Sequence, residues 1–206
     1  IPNGFGTNST TPRMENTRIW NKLAEEISKK GTLPGIQLST TWENYIGAKS
    51  FIARTPAEQL DSYRHIASNF NKDYVIKQFS SLSEATNIAI DSGFKHIQLH
   101  AAHGYFFNLI LDNRFSNHHE LAIDLTQKWV KSTGQSGIET SVRLSSLTGF
   151  SKFDSIQNSF IRDITEIPFS YHDISEGFYN INKQLIYPSL KKILTASLEC
   201  MKDNSA

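Results

Sequence analysis

The stretch 96–105, H-I-Q-L-H-A-A-H-G-Y, decides the fold prediction because a strand pattern runs directly into a polar loop. Side chains along a strand alternate between the two faces of a sheet, so the polar residues at positions 96, 98 and 100 are predicted to share one face. After the strand the chain turns, and His103 and Tyr105 are expected to return over the same opening as His100. Two imidazoles and a phenol there would supply hydrogen-bond donors and a proton. The alternative is a strand-to-helix loop in which a histidine caps backbone and the tyrosine fills a gap.

The sequence on both sides of this stretch alternates between helical and strand patterns. Apolar spacing and end signals predict helices over 15–30, 55–69, 73–92, 119–132 and 154–167, and a last one beyond Pro188. Short apolar runs predict strands over 34–38, 95–100, 138–145 and 170–175. In the first helix the apolar spacing is that of Ile19, Leu23 and Ile27. Such alternation favours the α/β class, with βα units around a parallel sheet.

Composition limits the possible partners and compartments. Lys and Arg number 21 against 20 for Asp and Glu, so no overall field attracts nucleic acid or an anionic membrane. No run of about 18 apolar residues is present, so no membrane span is predicted. Cys200 is the only cysteine, which fits a reducing, cytoplasmic compartment. Residues 1–206 are predicted to form a single domain.

Polar residues stand at or near the ends of the predicted strands. Gln37, His100, Arg143 and Ser175 each lie close to a carboxyl end. Parallel α/β folds place their sites at that edge of the sheet. The four residues are therefore predicted to line a shared site.

These residues carry a resemblance to a known family. The stretch 93–105, G-F-K-H-I-Q-L-H-A-A-H-G-Y, resembles a strand and loop of the Old Yellow Enzyme family, flavin-dependent ene reductases built on a TIM-type (β/α)8 barrel. G-I-Q-L at 35–38 resembles the third-strand motif of the family, and V-R-L-S at 142–145 resembles the fifth-strand motif. L-D-N-R at 111–114 is similar to the L-E-N-R of the helix after the fourth strand. The resemblance extends over roughly 16–189.

The resemblance implies a role for each site residue. His100 and His103 would bind the carbonyl or nitro oxygen of an activated alkene, or a phenol, and Tyr105 would protonate the α-carbon. Gln37 would hydrogen-bond the flavin pyrimidine ring, and Arg143 would lie near the flavin N1 and C2 carbonyl. The implied cofactor is FMN, which is reduced by NAD(P)H and delivers hydride to the β-carbon. The implied substrate is a small enone, and a phenol is the implied ligand.

The chain also departs from the family pattern. After 37–38 the family continues with a His and a Gly-Arg pair, whereas this chain reads S-T-T-W at 39–42. A barrel of this type needs about 250 residues. The first barrel strand, and the last two with their phosphate-binding loops, have no counterpart in the sequence. The barrel is therefore predicted to be incomplete, and we expect an excerpt, a reduced variant, or a second copy or partner chain that completes the wall.

Two further hypotheses remain open at this point. The chain could be a degenerate barrel that has lost its flavin and serves as a binding or structural module. It could instead be a metal enzyme that uses His96, His100 and His103, with or without His118 and His119, because zinc sites use imidazole ligands. No H-E-x-x-H pattern or cysteine pair accompanies these histidines, so no metal ligand is predicted.

Overall fold

A computed structural model describes residues 1–6, 12–15, 17–45, 56–145 and 159–175 of the chain, without the side chains of 56–60 and 159. Its helices are α1 (Thr17–Ser28), α2 (Pro56–Ser68), α3 (Lys72–Asp91), α4 (Phe106–Leu111), α5 (His119–Gln135) and α6 (Ser159–Thr165). Its strands are β1 (Gly35–Leu38), β2 (His96–Ala101), β3 (Glu139–Ser145) and β4 (Tyr171–Ser175). All four strands coincide closely with the sequence prediction.

The four strands form one parallel sheet in the order β1-β2-β3-β4. In the register of this sheet, Gln37 lies beside Gln98, His100 beside Arg143, and Arg143 beside Asp173. Strands that follow one another in both sequence and space are typical of a barrel wall, whereas doubly wound sheets reverse their strand order. The described sheet is therefore part of a TIM-type barrel, and all its carboxyl ends meet at one edge, here called the carboxyl edge.

One face of the sheet is apolar and carries the helices. Ile97, Leu99 and Val142 on this face are completely buried. Helix α3 packs against β1, α4 against β2, and α5 against β3. A buried hydrogen bond of 2.9 Å from Trp129 Nε1 to Thr86 Oγ1 joins α5 to α3. The hydrophobic core thus lies between the sheet and its helices. The opposite face of the sheet is polar and is not part of this core.

Helix α3 follows its sequence signals closely. Asn71 Oδ1 accepts a 2.8 Å hydrogen bond from the Tyr74 amide, as an N-cap residue does. The predicted apolar stripe of the helix is buried. Gly93 follows the helix with a φ of 93°, a left-handed conformation that glycine adopts without a steric penalty. These local signals fix the point at which β2 begins.

Helix α1 forms where its spacing predicts it, but a different face of the helix is buried. Ile19 and Leu23 are 66% and 44% exposed, whereas Ala24 is buried. Trp20 contacts the Phe94 ring at a centroid distance of 6.4 Å. The apolar spacing thus identified the helix but not the residues through which it packs against the described part of the protein.

Helix α4 was not predicted from the sequence, whereas α6 lies within the helix predicted over 154–167. The sequence F-F-N-L-I-L of α4 is buried along its whole length, so it lacks the polar face from which helical periodicity is recognised. The start of the helix predicted over 154–167, and the helix predicted beyond Pro188, lie outside the described residues.

Within the described residues, none of the helices has the length and apolar character needed to cross a membrane.

Candidate active site

The loop after β2 brings its side chains back over the carboxyl edge, as the sequence predicts. His103 has a φ of 61° and Gly104 a φ of 74°. A non-glycine residue in this left-handed region costs roughly 1 kcal/mol or more, so the surrounding contacts must hold it there. The His103 amide donates to Ser145 Oγ at 3.0 Å, and the Gly104 amide donates to Asn108 Oδ1 at 2.8 Å. The turn is therefore fixed to both β3 and α4.

Three aromatic side chains meet at this turn. The ring centroids of His100 and His103 are 5.2 Å apart, and those of His100 and Tyr105 are 4.9 Å apart, with edge-on geometry in both pairs. The centroids of His103 and Tyr105 are 6.3 Å apart. His100 and Tyr105 are both buried. The predicted convergence of two imidazoles and a phenol is thus present in the structure.

A charged group borders the three rings. Arg143 Nη2 donates to Ser175 Oγ at 3.2 Å, and the same hydroxyl lies 2.7 Å from His103 Nε2. Arg143 Nε lies 3.6 Å from Asp173 Oδ2. The guanidinium is thus held beside the histidine pair by two residues of β4. We call His100, His103, Tyr105, Arg143 and Ser175 the carboxyl-edge site.

The electrostatics of the site keep both imidazoles neutral. Burial, followed by the nearby charges of His103 and Arg143, lowers the pKa of His100 to about 3. Burial and then Arg143 also lower the pKa of His103, against an opposing effect of Asp173. A neutral imidazole carries one N–H donor and one acceptor nitrogen. At neutral pH each ring can therefore donate one hydrogen bond without bringing a full charge.

Two buried polar atoms of this site have no hydrogen-bond partner among the residues that the structure describes. They are His100 Nδ1 and Arg143 Nε. Most buried polar atoms in proteins are paired, and an unpaired one requires an explanation. Both atoms lie in adjacent register positions of β2 and β3, at the carboxyl edge.

Gln37 lies on the same face but belongs to a separate group of contacts. Its side chain is exposed, and its Nε2 donates to Gln98 Oε1 at 2.6 Å. Gln98 in turn donates to Ser141 Oγ at 3.2 Å. The structure thus places Gln37 on the polar face, two residues below the level of His100, without a described contact to the histidine pair.

The remaining polar residues of this face form a connected network. His96 Nε2 lies 2.9 Å from Ser141 Oγ and 2.9 Å from the Tyr171 hydroxyl, while its Nδ1 lies 3.3 Å from Glu139 Oε2. The rings of His96 and Tyr171 are stacked at a centroid distance of 5.1 Å. We call His96, Gln98, Glu139, Ser141 and Tyr171 the amino-side network. Both nitrogens of its histidine have partners.

The histidines proposed as metal ligands do not form such a site within the described ranges. There, no group of three or more His, Cys, Asp or Glu side chains is arranged to hold a metal ion. His119 instead lies 2.9 Å from Asp163 Oδ2, which joins α5 to α6.

Two residues that shape the site were not predicted from the sequence. Ser145 holds the strained amide of His103, and Asp173 lies beside Arg143. Alternation along Y-H-D-I-S at 171–175 places Asp173 on the same face as Ser175, so this signal was available. The contact of Ser145 had no comparable signal, because it depends on the path of the loop.

Comparison with known proteins gives matches in structure only. No protein-family model matches the chain, and no curated protein matches it by sequence. An Old Yellow Enzyme from Pichia sp. AKU4542 is 19% identical with a TM-score of 0.57, over 83% of this chain and 55% of that one. The old yellow enzyme from Trypanosoma cruzi is 18% identical with a TM-score of 0.58, over 89% and 61%.

A third similar structure is a histamine dehydrogenase from Rhizobium sp. 4-9. It is 13% identical with a TM-score of 0.58, over 87% of this chain and 30% of that one. The chain thus spans less than two thirds of the length of each of these proteins. The strand order and these similarities agree, and the chain has the fold of part of an Old Yellow Enzyme-type (β/α)8 barrel.

Proposed function

We propose that the chain is the substrate-binding part of a flavin-dependent oxidoreductase that reduces activated C=C bonds. The observation that carries this proposal is the convergence of two neutral imidazoles, a phenol and a guanidinium at the carboxyl edge. Such an edge is where barrel enzymes keep their chemistry. The substrate class that fits is a small enone or nitroalkene, and a phenol is the matching non-reacting ligand.

His100 and His103 bind the oxygen of the substrate in this proposal. Both rings stay neutral at the pH of the cell because burial lowers their pKa values. A neutral N–H donor stabilises negative charge as it develops on oxygen, and one such donor contributes about 3 kcal/mol to the transition state. Fixing His103 through its backbone keeps the two donors in place before the substrate arrives.

Tyr105 is the proton donor in this proposal. Its ring centroid lies 4.9 Å from that of His100. Tyr105 is the N-cap residue of the short helix α4, which fixes the position of its backbone. Reduction of the alkene requires one hydride at the β-carbon and one proton at the α-carbon. The tyrosine hydroxyl supplies that proton, and water returns it after product release.

The cofactor that fits the remaining polar groups is FMN. FMN, when bound, supplies the hydride that comes from NAD(P)H. Arg143 offers a guanidinium, whose Nε lies in an ion pair with Asp173, to a negatively polarised ring edge, and Gln37 offers an exposed amide. The guanidinium remains beside Asp173, which balances part of its charge when no anion is near.

A flavin-less binding module is the second candidate, and three contacts favour it. Gln37 already donates to Gln98, and Arg143 already contacts Ser175 and Asp173. In this alternative the two residues fill the polar face themselves, and only the histidine pair and Tyr105 bind a phenolic ligand.

Flavin content separates the two candidates. The purified chain should absorb in the flavin band, or should take up added FMN with quenching of FMN fluorescence, and should then oxidise NAD(P)H when an enone is present. Arg143→Gln should lower FMN affinity, whereas the matched change at the exposed Arg162, Arg162→Gln, should not. If the purified chain is colourless and does not bind added FMN but does bind a phenol, the result would favour the flavin-less binding module.

A further inference from the structure

A cavity lies between the segment after β1 and the junction of α2 and α3. Its volume is about 390 Å³, within the range of small-molecule sites. Its lining includes Trp42, Glu43, Phe70 and Tyr74, together with exposed asparagines at the rim. None of the carboxyl-edge residues lines it, so it is a separate site.

The inner wall of this cavity is aromatic. Trp42 and Phe70 are 8% and 6% exposed, and the Phe70 and Tyr74 rings are stacked at 5.5 Å with an interplanar angle of 22°. The Tyr74 hydroxyl is buried and has no hydrogen-bond partner in the part of the chain that the structure describes. A ligand that offers an oxygen acceptor and an apolar or cationic surface would match this wall.

The charge of the cavity is negative. Glu43 lines it and forms no ion pair or hydrogen bond with any residue in the described part of the chain, and no lysine or arginine is among the lining residues. Burial first, and then the charge of Glu43, raise the pKa of Tyr74, so the carboxylate acts on the phenol that faces it. The amide end of α3 and the carbonyl end of α2 both lie at this junction, and their partial charges oppose each other.

We propose that this cavity binds an organic ammonium ion that also carries an oxygen acceptor. The electron-rich faces of Trp42, Phe70 and Tyr74 contact the cationic group, as aromatic side chains do in sites for quaternary ammonium ligands. Glu43 supplies the opposing charge from the rim. The Tyr74 hydroxyl donates to the oxygen of the ligand and thereby gains its missing partner.

Choline is a suitable probe, because it joins a quaternary ammonium group to a hydroxyl. Titration of the full chain, followed by calorimetry, should show saturable binding of choline and no binding of its neutral isostere, 3,3-dimethylbutan-1-ol. Glu43→Gln should weaken choline binding by about five- to tenfold. Glu84→Gln, an exposed change on α3 outside the cavity, is the matched control and should leave the affinity unchanged.

A second variant tests the hydroxyl. Tyr74→Phe should weaken choline binding several-fold but leave the binding of tetramethylammonium, which has no oxygen, unchanged. Equal binding of choline and its neutral isostere would overturn the proposal, and so would equal affinities for the Glu43 and Glu84 variants. Because these measurements need neither flavin nor turnover, their outcome is independent of the function proposed above.

Discussion

Two polar clusters lie on the same face of the sheet, and they differ in whether their hydrogen bonds are complete. In the amino-side network, His96 has partners at both ring nitrogens and a Tyr171 ring stacked on it. In the carboxyl-edge site, neither His100 Nδ1 nor Arg143 Nε has a hydrogen-bond partner within the described ranges, although Arg143 Nε lies 3.6 Å from Asp173 Oδ2. The two histidines are only four residues apart on one strand.

This difference distinguishes a structural polar cluster from a binding site. A cluster that satisfies itself needs nothing from solution and gains stability from each internal contact. A buried cluster with missing partners is costly to the free protein and gains most from a ligand. On this criterion we propose the carboxyl-edge site as the functional region, although both clusters contain the same types of residue.

The largest expected effect concerns the two tyrosines. Tyr105→Phe should slow alkene reduction by about a hundredfold or more, because it removes the general acid. The reduction of bound flavin by NAD(P)H should stay near its original rate, which stopped-flow absorbance measures separately. Tyr171→Phe, in the amino-side network, should leave both half-reactions nearly unchanged.

Two results would contradict this prediction. Equal losses in both half-reactions for Tyr105→Phe would remove its role as the proton donor. A loss for Tyr171→Phe as large as that for Tyr105→Phe would show that the two clusters act as one.

The second prediction compares the two histidines of β2 as ligand contacts. His100→Ala should weaken the binding of a phenol by about a hundredfold, since one lost donor costs about 3 kcal/mol at such a site. His96→Ala should change that affinity by less than about twofold, because its partners are all internal. Calorimetric titration of both variants gives the ratio. Similar affinities for the two variants would contradict the assignment of His100 to the ligand.

Much of this arrangement could be predicted from sequence because it follows from strand alternation. The period of two along 96–100 placed His100 with His96 and away from Ile97, and the structure agrees. The turn at His103 was also expected, since Gly104 follows it. Alternation is a local property of a strand, so the sequence of β2 alone was enough to predict which of its residues share a face.

The completeness of the hydrogen bonds could not be predicted in the same way. Whether His96 or His100 lacks a partner depends on what β3 and β4 place beside each one: Ser141 and Tyr171 in one case, Arg143 in the other. That outcome depends on the register between strands, which a single sequence does not specify. The distinction between the two clusters therefore required the fold.

The third prediction uses pH. The pKa of His100 is lowered from 6.5 to about 3 in the folded protein, so the unfolded chain binds more protons between these values. Above about pH 6.5, His100 is neutral in both the folded and the unfolded state, and the folded protein has its full stability. As the pH falls from 6.5 toward 3, only the unfolded chain takes up a proton at this residue, so the folded protein loses stability relative to it. The free energy of unfolding should fall by up to about 1.4 kcal/mol per pH unit from this one group.

The control for this prediction is a variant without the titrating ring. His100→Leu should flatten the dependence between pH 6 and about pH 4. A matched change at the exposed His65, His65→Gln, should leave it unchanged. The lowered pKa of His103 acts in the same direction, and its contribution should remain in the His100 variant. Urea unfolding at several pH values measures the three slopes, and parallel slopes for all three proteins would contradict the neutral buried state of His100.

The smallest effect is the most direct test of the comparison between the clusters. His96→Leu should lower the free energy of unfolding at pH 7 by about 1–2 kcal/mol, because Ser141, Tyr171 and Glu139 lose a partner. His100→Leu should leave that free energy unchanged or raise it, because the variant buries no unpartnered nitrogen. The same substitution on one strand is therefore expected to have opposite consequences. If His100→Leu destabilised the protein as much as His96→Leu does, the imidazole of His100 would be a structural contact, and its unpartnered nitrogen would no longer indicate a ligand.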